Sequence, residues 1–122
     1  MHEFREALEY YHKALEAQKE LGIENMLTVS INDNIYSTLN ALGEYVEALA
    51  YRKETLAIRE RIGESITADM YNAAGIDCYN HQEFQHALRY FQKALEVQKQ
   101  LGIETTLNAS INNNIGNALW NI

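Results

Sequence analysis

Four histidines and one cysteine are the side chains of this sequence best suited to metal binding or nucleophilic attack. His2, His12, His81 and His86 include no pair at i, i+4 on one helix beside a carboxylate, the spacing used by many zinc enzymes. Cys78 is the only cysteine, which excludes an intramolecular disulfide and a cysteine-rich zinc site, and its apolar neighbours favour a buried structural thiol. The six glycines form no phosphate-binding loop. We therefore expect no catalysis, no metal and no cofactor.

The composition is that of a folded, acidic and helical protein. The 122 residues are 47% hydrophobic and include no proline, which favours helices over a sheet with many turns. The formal net charge of −7 comes without a basic cluster, so neither a nucleic acid nor an anionic membrane surface is an expected partner. No apolar run approaches the roughly 20 residues that span a bilayer, and no apolar signal segment opens the chain. These features predict a cytoplasmic protein.

The sequence contains internal repeats. Setting Phe4 against Phe84 aligns HEFREALEYYHKALEAQKELGIENMLTVSINDNI with QEFQHALRYFQKALEVQKQLGIETTLNASINNNI, and about half of the paired positions are identical. A more divergent copy lies between these two. The Ala-Leu pairs that begin at Ala7, Ala48 and Ala87 are separated by 41 and 39 residues. This period is typical of solenoids built from helix pairs.

Each repeat is predicted to contain two helices, which we call B and A in chain order. Apolar residues recur at helical spacing in the B helices, at roughly 3–21, 44–62 and 83–101. The A helices are predicted at roughly 25–42, 65–81 and 105–121. Gly22, Gly63 and Gly102 follow the B helices, where a left-handed glycine can end a helix. The predicted fold is all-α, with six helices in the order B-A-B-A-B-A in one domain over residues 1–122.

The signature residues resemble those of the tetratricopeptide repeat. An alanine, an aromatic and a second alanine recur in the B helices, as Ala7, Tyr11 and Ala14 and as Ala87, Phe91 and Ala94. A small residue occurs in helix A, at Gly75 and Gly116. An aromatic residue begins the next helix B, at Tyr45 and Phe84. The run Asn113-Asn114-Ile115-Gly116 and the repeat length near 40 are most similar to the long-repeat type found in kinesin light chains. The resemblance implies an α-α superhelix of about three helix pairs.

Three residues of the chain depart from the signature. Tyr36 takes the place of the small residue, and Arg52 and Thr55 replace the aromatic and the alanine of the middle B helix. We therefore expect the packing around the middle repeat to differ from that of the other two. Trp120 and the eight tyrosines are expected mostly in the core or in the wall of the groove.

A concave groove lined by the A helices is the binding site that the resemblance implies. Its predicted residues are Asp33, Asn34, Ser37, Asp69, Asn72, Ile76, Tyr79, Asn113, Asn114 and Asn117. In the long-repeat relatives such asparagines hold peptide main chain, and the resemblance implies the same role here for Asn34, Asn72, Asn113 and Asn114. Each amide offers donors and an acceptor, so it can pair with a peptide backbone without reading side chains. The alternative is that the amides cap helices, bond between neighbouring helices or face water.

The charge distribution narrows the expected partner. All ten lysines and arginines fall in the predicted B helices, so the groove lacks the cations that a carboxylate or phosphate requires. The two-lysine carboxylate clamp of chaperone-binding tetratricopeptide domains is absent, since its first-lysine position holds Asp33, Asn72 and Asn113. With Asp33 and Asp69 present, a neutral to mildly basic peptide is the predicted ligand of a scaffolding or signalling module.

The two ends of the sequence support an alternative function. The chain begins with a B helix and ends with an A helix, and residues 120–122 followed by residues 2–4 of another copy restore an ordinary A-to-B turn. Solenoid ends normally have a polar outer face, and neither end of this sequence has one. We therefore also consider self-association, head to tail or as a two-fold dimer, and a chain that is part of a longer repeat array.

Overall fold

The computed structural model describes residues 3–122 and contains, over that range, six α-helices and no strand. The helices are α1 (Phe4–Glu20), α2 (Met26–Ala41), α3 (Tyr45–Ile62), α4 (Ala68–Asn80), α5 (Phe84–Leu101) and α6 (Thr106–Trp120). The all-α prediction and the B-A-B-A-B-A order are confirmed. The largest difference in bounds is at α4, predicted from residue 65, because Thr67 is the N-cap and its hydroxyl accepts a hydrogen bond from Met70 N. His2, considered above as a metal ligand, lies outside the described residues.

The chain forms two compact units, the first ending at Ser65 and containing α1–α3, and the second beginning at Ile66 and containing α4–α6. In the first unit α2 packs against both α1 and α3. Ile31, Ile35 and Leu39 recur every fourth residue on α2 and form a buried core with Leu15 of α1 and Ala48 of α3. This spacing places the three side chains on one face of α2, whereas Asp33, Asn34 and Ser37 between them are exposed.

In the second unit α5 packs against both α4 and α6. Ala87, Phe91 and Ala94 of α5 are fully buried, as expected for the signature residues of a B helix. A Cβ atom on Gly75 of α4 would lie 2.6 Å from Cδ1 of Phe91 and closer still to its Cε1. Only glycine therefore lets the α4 backbone approach this ring.

The B helices of both units end at glycine in the predicted way. At the end of α1, Gly22 N bonds to Lys19 O and Ile23 N bonds to Gln18 O, at 3.0 Å each, and Gly22 has φ +67°. This is the Schellman arrangement, which satisfies the last carbonyls of a helix and requires a left-handed residue. A side-chain cap from Asn25 or Thr105 then opens the following A helix.

The turns from an A helix to the next B helix use the same backbone conformation with two different residues. Gly43 has φ +78° after α2, whereas Gln82 has φ +63° after α4. A left-handed conformation costs a residue with a side chain about 1–2 kcal/mol. Glycine avoids this cost but loses more backbone entropy on folding, which offsets part of the gain. We expect Gln82→Gly to raise the free energy of unfolding by about 0.5–1 kcal/mol, measured by urea denaturation. Gly43→Gln is the reciprocal control and should lower it, and a less stable Gln82→Gly variant would contradict this explanation.

Candidate functional site

The outer face of α2 carries the predicted site residues of the first unit. Asp33, Asn34 and Ser37 are all exposed, and they lie within about one turn of each other because they fall between the buried residues Ile31, Ile35 and Leu39. The side chains of Asn34 and Ser37 have no hydrogen-bond partner in residues 3–122. Their polar groups are therefore available to a ligand.

Two arginines of α3 lie closer to this face than the sequence indicated. Although Asp33 is exposed to solvent, partial desolvation by the neighbouring helix raises the pKa of its carboxyl, while Arg59, Arg52 and a hydrogen bond from Thr55 act in the opposite direction. The prediction that this part of the site is free of basic groups is too simple, because long side chains from the neighbouring B helix reach it. The electrostatic potential at this face of α2 is consequently less negative than the charge of Asp33 alone would make it.

Tyr36 and Arg52, two of the residues that depart from the repeat signature, contact each other. The guanidinium carbon of Arg52 lies 4.4 Å from the centroid of the Tyr36 ring, a cation–π geometry. Gly75 and Phe91, the residues at the corresponding positions of the second unit, are separated by the same 16 residues and are also in contact. One unit thus combines a small residue with an aromatic ring, and the other combines an aromatic ring with an arginine.

In the second unit α4 and α6 pack side by side and bring several predicted site residues together. Asn114 Nδ2 donates to Oδ1 of the buried Asn72 at 3.0 Å, so this amide pair bonds between helices, as the alternative interpretation stated. Asn113 and Asn117 of α6 are exposed, and neither side chain has a partner in the described residues. The unpaired amides are therefore those of Asn113 and Asn117 and not that of Asn72.

The remaining site residues of the second unit all belong to α4. Asp69 and Ile76 are exposed. Tyr79 is held from two sides, since its hydroxyl accepts a hydrogen bond from Asn121 Nδ2 at 3.0 Å and its ring meets Phe84 edge-on with centroids 5.2 Å apart. The structure thus places an exposed apolar side chain and an oriented phenol on α4, the helix that packs against α6. Trp120, expected in the core or groove wall, is instead 89% exposed.

The sequence interpretation missed buried hydrogen bonds that join each terminal B helix to its A helix. Gln18 Nε2 lies 3.1 Å from both Asn25 Oδ1 and Thr28 Oγ1 in the first unit, and Gln98 Nε2 lies 3.1 Å from Asn108 Oδ1 in the second. Unmade bonds here would leave buried polar atoms unsatisfied, at about 1–3 kcal/mol each. The signal was a glutamine conserved between the two aligned copies on an otherwise apolar helix face.

A pocket lies beside these hydrogen bonds in each unit. In the first unit it has a volume of about 500 Å³, and α3 forms one wall with Ala50, Tyr51, Glu54 and Ile58. In the second unit it has a volume of about 450 Å³ and is lined only by residues 92–108 of α5, α6 and their connection. The two pockets occupy the same place in the repeat, but only the first is walled by a following B helix.

The described residues considered for catalysis or metal binding are His12 on α1, Cys78 on α4, His81 directly after α4 and His86 on α5. Within residues 3–122 no group of three or more His, Cys, Asp and Glu side chains is placed to hold a metal ion. His81 Nδ1 lies 2.8 Å from Asp77 O, His86 Nδ1 lies 2.9 Å from Glu83 Oε1, and Cys78 is fully buried. The same part of the chain contains no helix with the length and apolarity needed to cross a membrane.

Comparison with known proteins agrees with the all-helical repeat fold. A family model described as "Tetratricopeptide repeat" matches residues 27–100. The crystal structure of BtubC (BKLC) from P. vanneervenii is similar to this chain with a TM-score of 0.67 and 23% sequence identity, over 97% of this chain and 49% of that one. This chain thus spans about half the length of BtubC, and at this identity the likeness concerns the fold alone. No curated protein matches the sequence.

Proposed function

The chain belongs to the tetratricopeptide repeat family, and we propose that it binds the main chain of an extended peptide through free asparagine amides on its A helices. Repeats of this family generally mediate protein–protein interaction and are generally not enzymes. The observation that carries the proposal is the pair of exposed, unpartnered amides at Asn113 and Asn117 on α6. A cytoplasmic location and a scaffolding or signalling role are parts of this proposal.

The spacing of the two amides suits an extended peptide. Residues four apart on a helix are displaced by about 6 Å along its axis, at 1.5 Å per residue. Alternate residues of an extended chain are about 6.6–6.8 Å apart, at 3.3–3.4 Å per residue. The amides of Asn113 and Asn117 can therefore hydrogen-bond to the backbone of two peptide residues that are two positions apart. Both of these residues lie on the edge of the peptide that faces α6.

The surroundings of these amides favour a ligand without strong negative charge. Neither α4 nor α6 contains a lysine or arginine, and α4 contains two aspartates, Asp69 and Asp77. Ile76 and Tyr79 provide apolar surface for peptide side chains, and the Asn72–Asn114 hydrogen bond fixes the two helices beneath them. A neutral to mildly basic peptide with small apolar side chains fits this surface.

The α2 face is a second surface of the same kind in the first unit. Asn34 and Ser37 supply free polar groups there. Since Arg52 and Arg59 offset the charge of Asp33, this surface has less preference for a basic segment than the α4–α6 face. We propose that it takes a neutral segment.

The proposal predicts that the double variant Asn113→Ala/Asn117→Ala binds peptide about 5- to 100-fold more weakly. Each lost hydrogen bond contributes about 0.5–1.5 kcal/mol, and about 1.4 kcal/mol corresponds to a factor of ten in Kd. The ligands would be 12-residue peptides with acetylated and amidated ends, selected on the protein from a random library, with binding measured by fluorescence anisotropy.

Asn112→Ala is the matched control, because Asn112 is also an exposed asparagine of α6 but donates to Asn108 O within the helix. This variant should bind normally. Methylating alternate peptide nitrogens should weaken binding more than replacing peptide side chains by alanine. Equal binding by the double variant and the parent protein would refute the proposal.

A further inference from the structure

The pocket of the first unit contains two buried side chains, each with an oxygen that accepts no hydrogen bond. All of its lining residues lie between Leu15 and Ile58, on α1, α2, α3 and the α1–α2 connection, and its volume is about 500 Å³. Pockets of this size hold small organic molecules. Among the lining residues, Asn32 is 1% exposed and Gln18 is 8% exposed. Buried oxygens of this kind are where a ligand gains hydrogen bonds that the protein itself does not supply.

The amide of Asn32 is oriented by the backbone of its own helix. Its Nδ2 donates to Thr28 O at 2.9 Å, and because a carbonyl oxygen can only accept, the nitrogen and not the oxygen must face it. Asn32 Oδ1 accepts no hydrogen bond from residues 3–122. Since Asn32 lines the pocket, this oxygen is the polar atom that it offers to a ligand there.

The amide of Gln18 is oriented by the start of α2. Its Nε2 lies 3.1 Å from both Asn25 Oδ1 and Thr28 Oγ1 and donates to each, whereas its Oε1 accepts no hydrogen bond in the part of the chain that the structure describes. The two amides thus meet at Thr28, where Gln18 bonds to the hydroxyl and Asn32 to the carbonyl. Two acceptors held near one residue match a ligand group with two N–H donors, such as –NH2.

The remaining lining of the pocket is mostly apolar and suits an aromatic ring system. Leu15 of α1 and Ile58 of α3 are both buried. Ala50 lies two turns before Ile58 on the same face of α3, and Tyr51 adds an aromatic residue to this wall. Burial of a flat apolar ring against such residues is favourable.

The charged residues around the pocket balance one another. Arg61 donates to both carboxylate oxygens of Glu24, at 2.7 Å from Nε and 2.9 Å from Nη2, and its Nη2 also donates to Glu54 at 3.0 Å. Glu24 and Glu54 line the pocket together with Lys19, so two acidic and two basic side chains surround it. The pocket therefore has no net charge to offset the hydration that an ion would lose on entering, which favours a neutral ligand.

We propose that the pocket of the first unit binds a small neutral aromatic molecule that carries an –NH2 group. The two N–H groups donate to Asn32 Oδ1 and Gln18 Oε1, and the ring system packs against Leu15 and Ile58. This site contains none of the asparagines of the peptide-binding proposal and does not depend on it.

Two probes that differ in one group test the hydrogen bonds. 6-Aminoquinoline and 6-methylquinoline have the same ring system, are neutral in mildly alkaline buffer, and differ only in carrying –NH2 or –CH3. The amino compound should bind about 5- to 100-fold more tightly, which is the effect of two hydrogen bonds of ordinary strength on Kd. Isothermal titration calorimetry on the full chain measures both values. Equal binding of the two compounds, or binding of neither, would overturn the proposal.

Three variants test whether the probes bind in this pocket. Asn32→Leu has a side chain of similar size without the acceptor, so it should reduce the preference for the amino compound, the ratio of the two Kd values, by about 2- to 10-fold. Ala50→Trp should abolish binding of both probes, because Ala50 is exposed at the pocket and a large ring there occupies the space. Val46→Trp is the matched control and should bind normally, since Val46 is exposed on the same helix but does not line the pocket. Normal binding by Ala50→Trp, or an unchanged preference in Asn32→Leu, would refute the inference.

Discussion

Phe91→Ala is expected to lower the free energy of unfolding by about 3–5 kcal/mol, the range for removing a buried phenylalanine. Phe91 is 1% exposed and fills the space over Gly75. Gly75→Ala should lower the same free energy by about 1–3 kcal/mol through overpacking, even though alanine is the better helix former by about 1 kcal/mol. Both are measured by urea denaturation with the slope of the transition monitored.

Gly116→Ala provides the control for the effect at Gly75. The two glycines hold the same repeat position, but only Gly75 faces a ring. Without a clash, Gly116→Ala should show the helix-propensity gain alone, about 1 kcal/mol of added stability. Combining Gly75→Ala with Phe91→Leu should cost less than the sum of the two changes, because the smaller side chain relieves the contact. Equal effects at Gly75 and Gly116 would contradict the packing described for α4 and α5.

Leu39→Ala is expected to lower the free energy of unfolding by about 2–5 kcal/mol, whereas Leu119→Ala should change it by at most about 0.5 kcal/mol. The two leucines correspond in the repeat, yet Leu39 is 1% exposed and Leu119 is 56% exposed. The difference arises because α3 covers α2 while no described residue covers the end of α6. Thermal and urea unfolding of both variants would measure it. A large loss of stability from Leu119→Ala would mean that Leu119 is buried in solution, contrary to its exposure in the structure.

The sequence was sufficient to predict the helices and their order because the repeat supplies the same signals more than once. Gly22 and Gly102 mark the ends of α1 and α5, and Asn25 and Thr105 cap the helices that follow. These are local interactions, with every partner within a few residues along the chain. The start of α4 was predicted at residue 65, whereas the helix begins at Ala68 because Thr67 is its N-cap.

The candidate site was predicted less well because its properties depend on contacts between helices. Asn72 and Asn113 occupy the same repeat position, but Asn72 is buried and bonded to Asn114, whereas Asn113 is exposed. Arg59 belongs to a B helix, and only the packing of α3 on α2 brings its charge to Asp33. The sequence shows the amino-acid type at each position, but the residue that each side chain contacts depends on how the helices pack.

The buried thiol of Cys78 can be used to measure how often the second unit opens. It is 0% exposed within α4, so a thiol reagent can reach the sulfur only during openings that separate α4 from its neighbours. When reclosing is faster than labelling, the labelling rate gives the free energy of that opening. Because the chain has no other cysteine, this rate follows the second unit alone, and comparing it with the loss of helical circular dichroism would show whether both units unfold together.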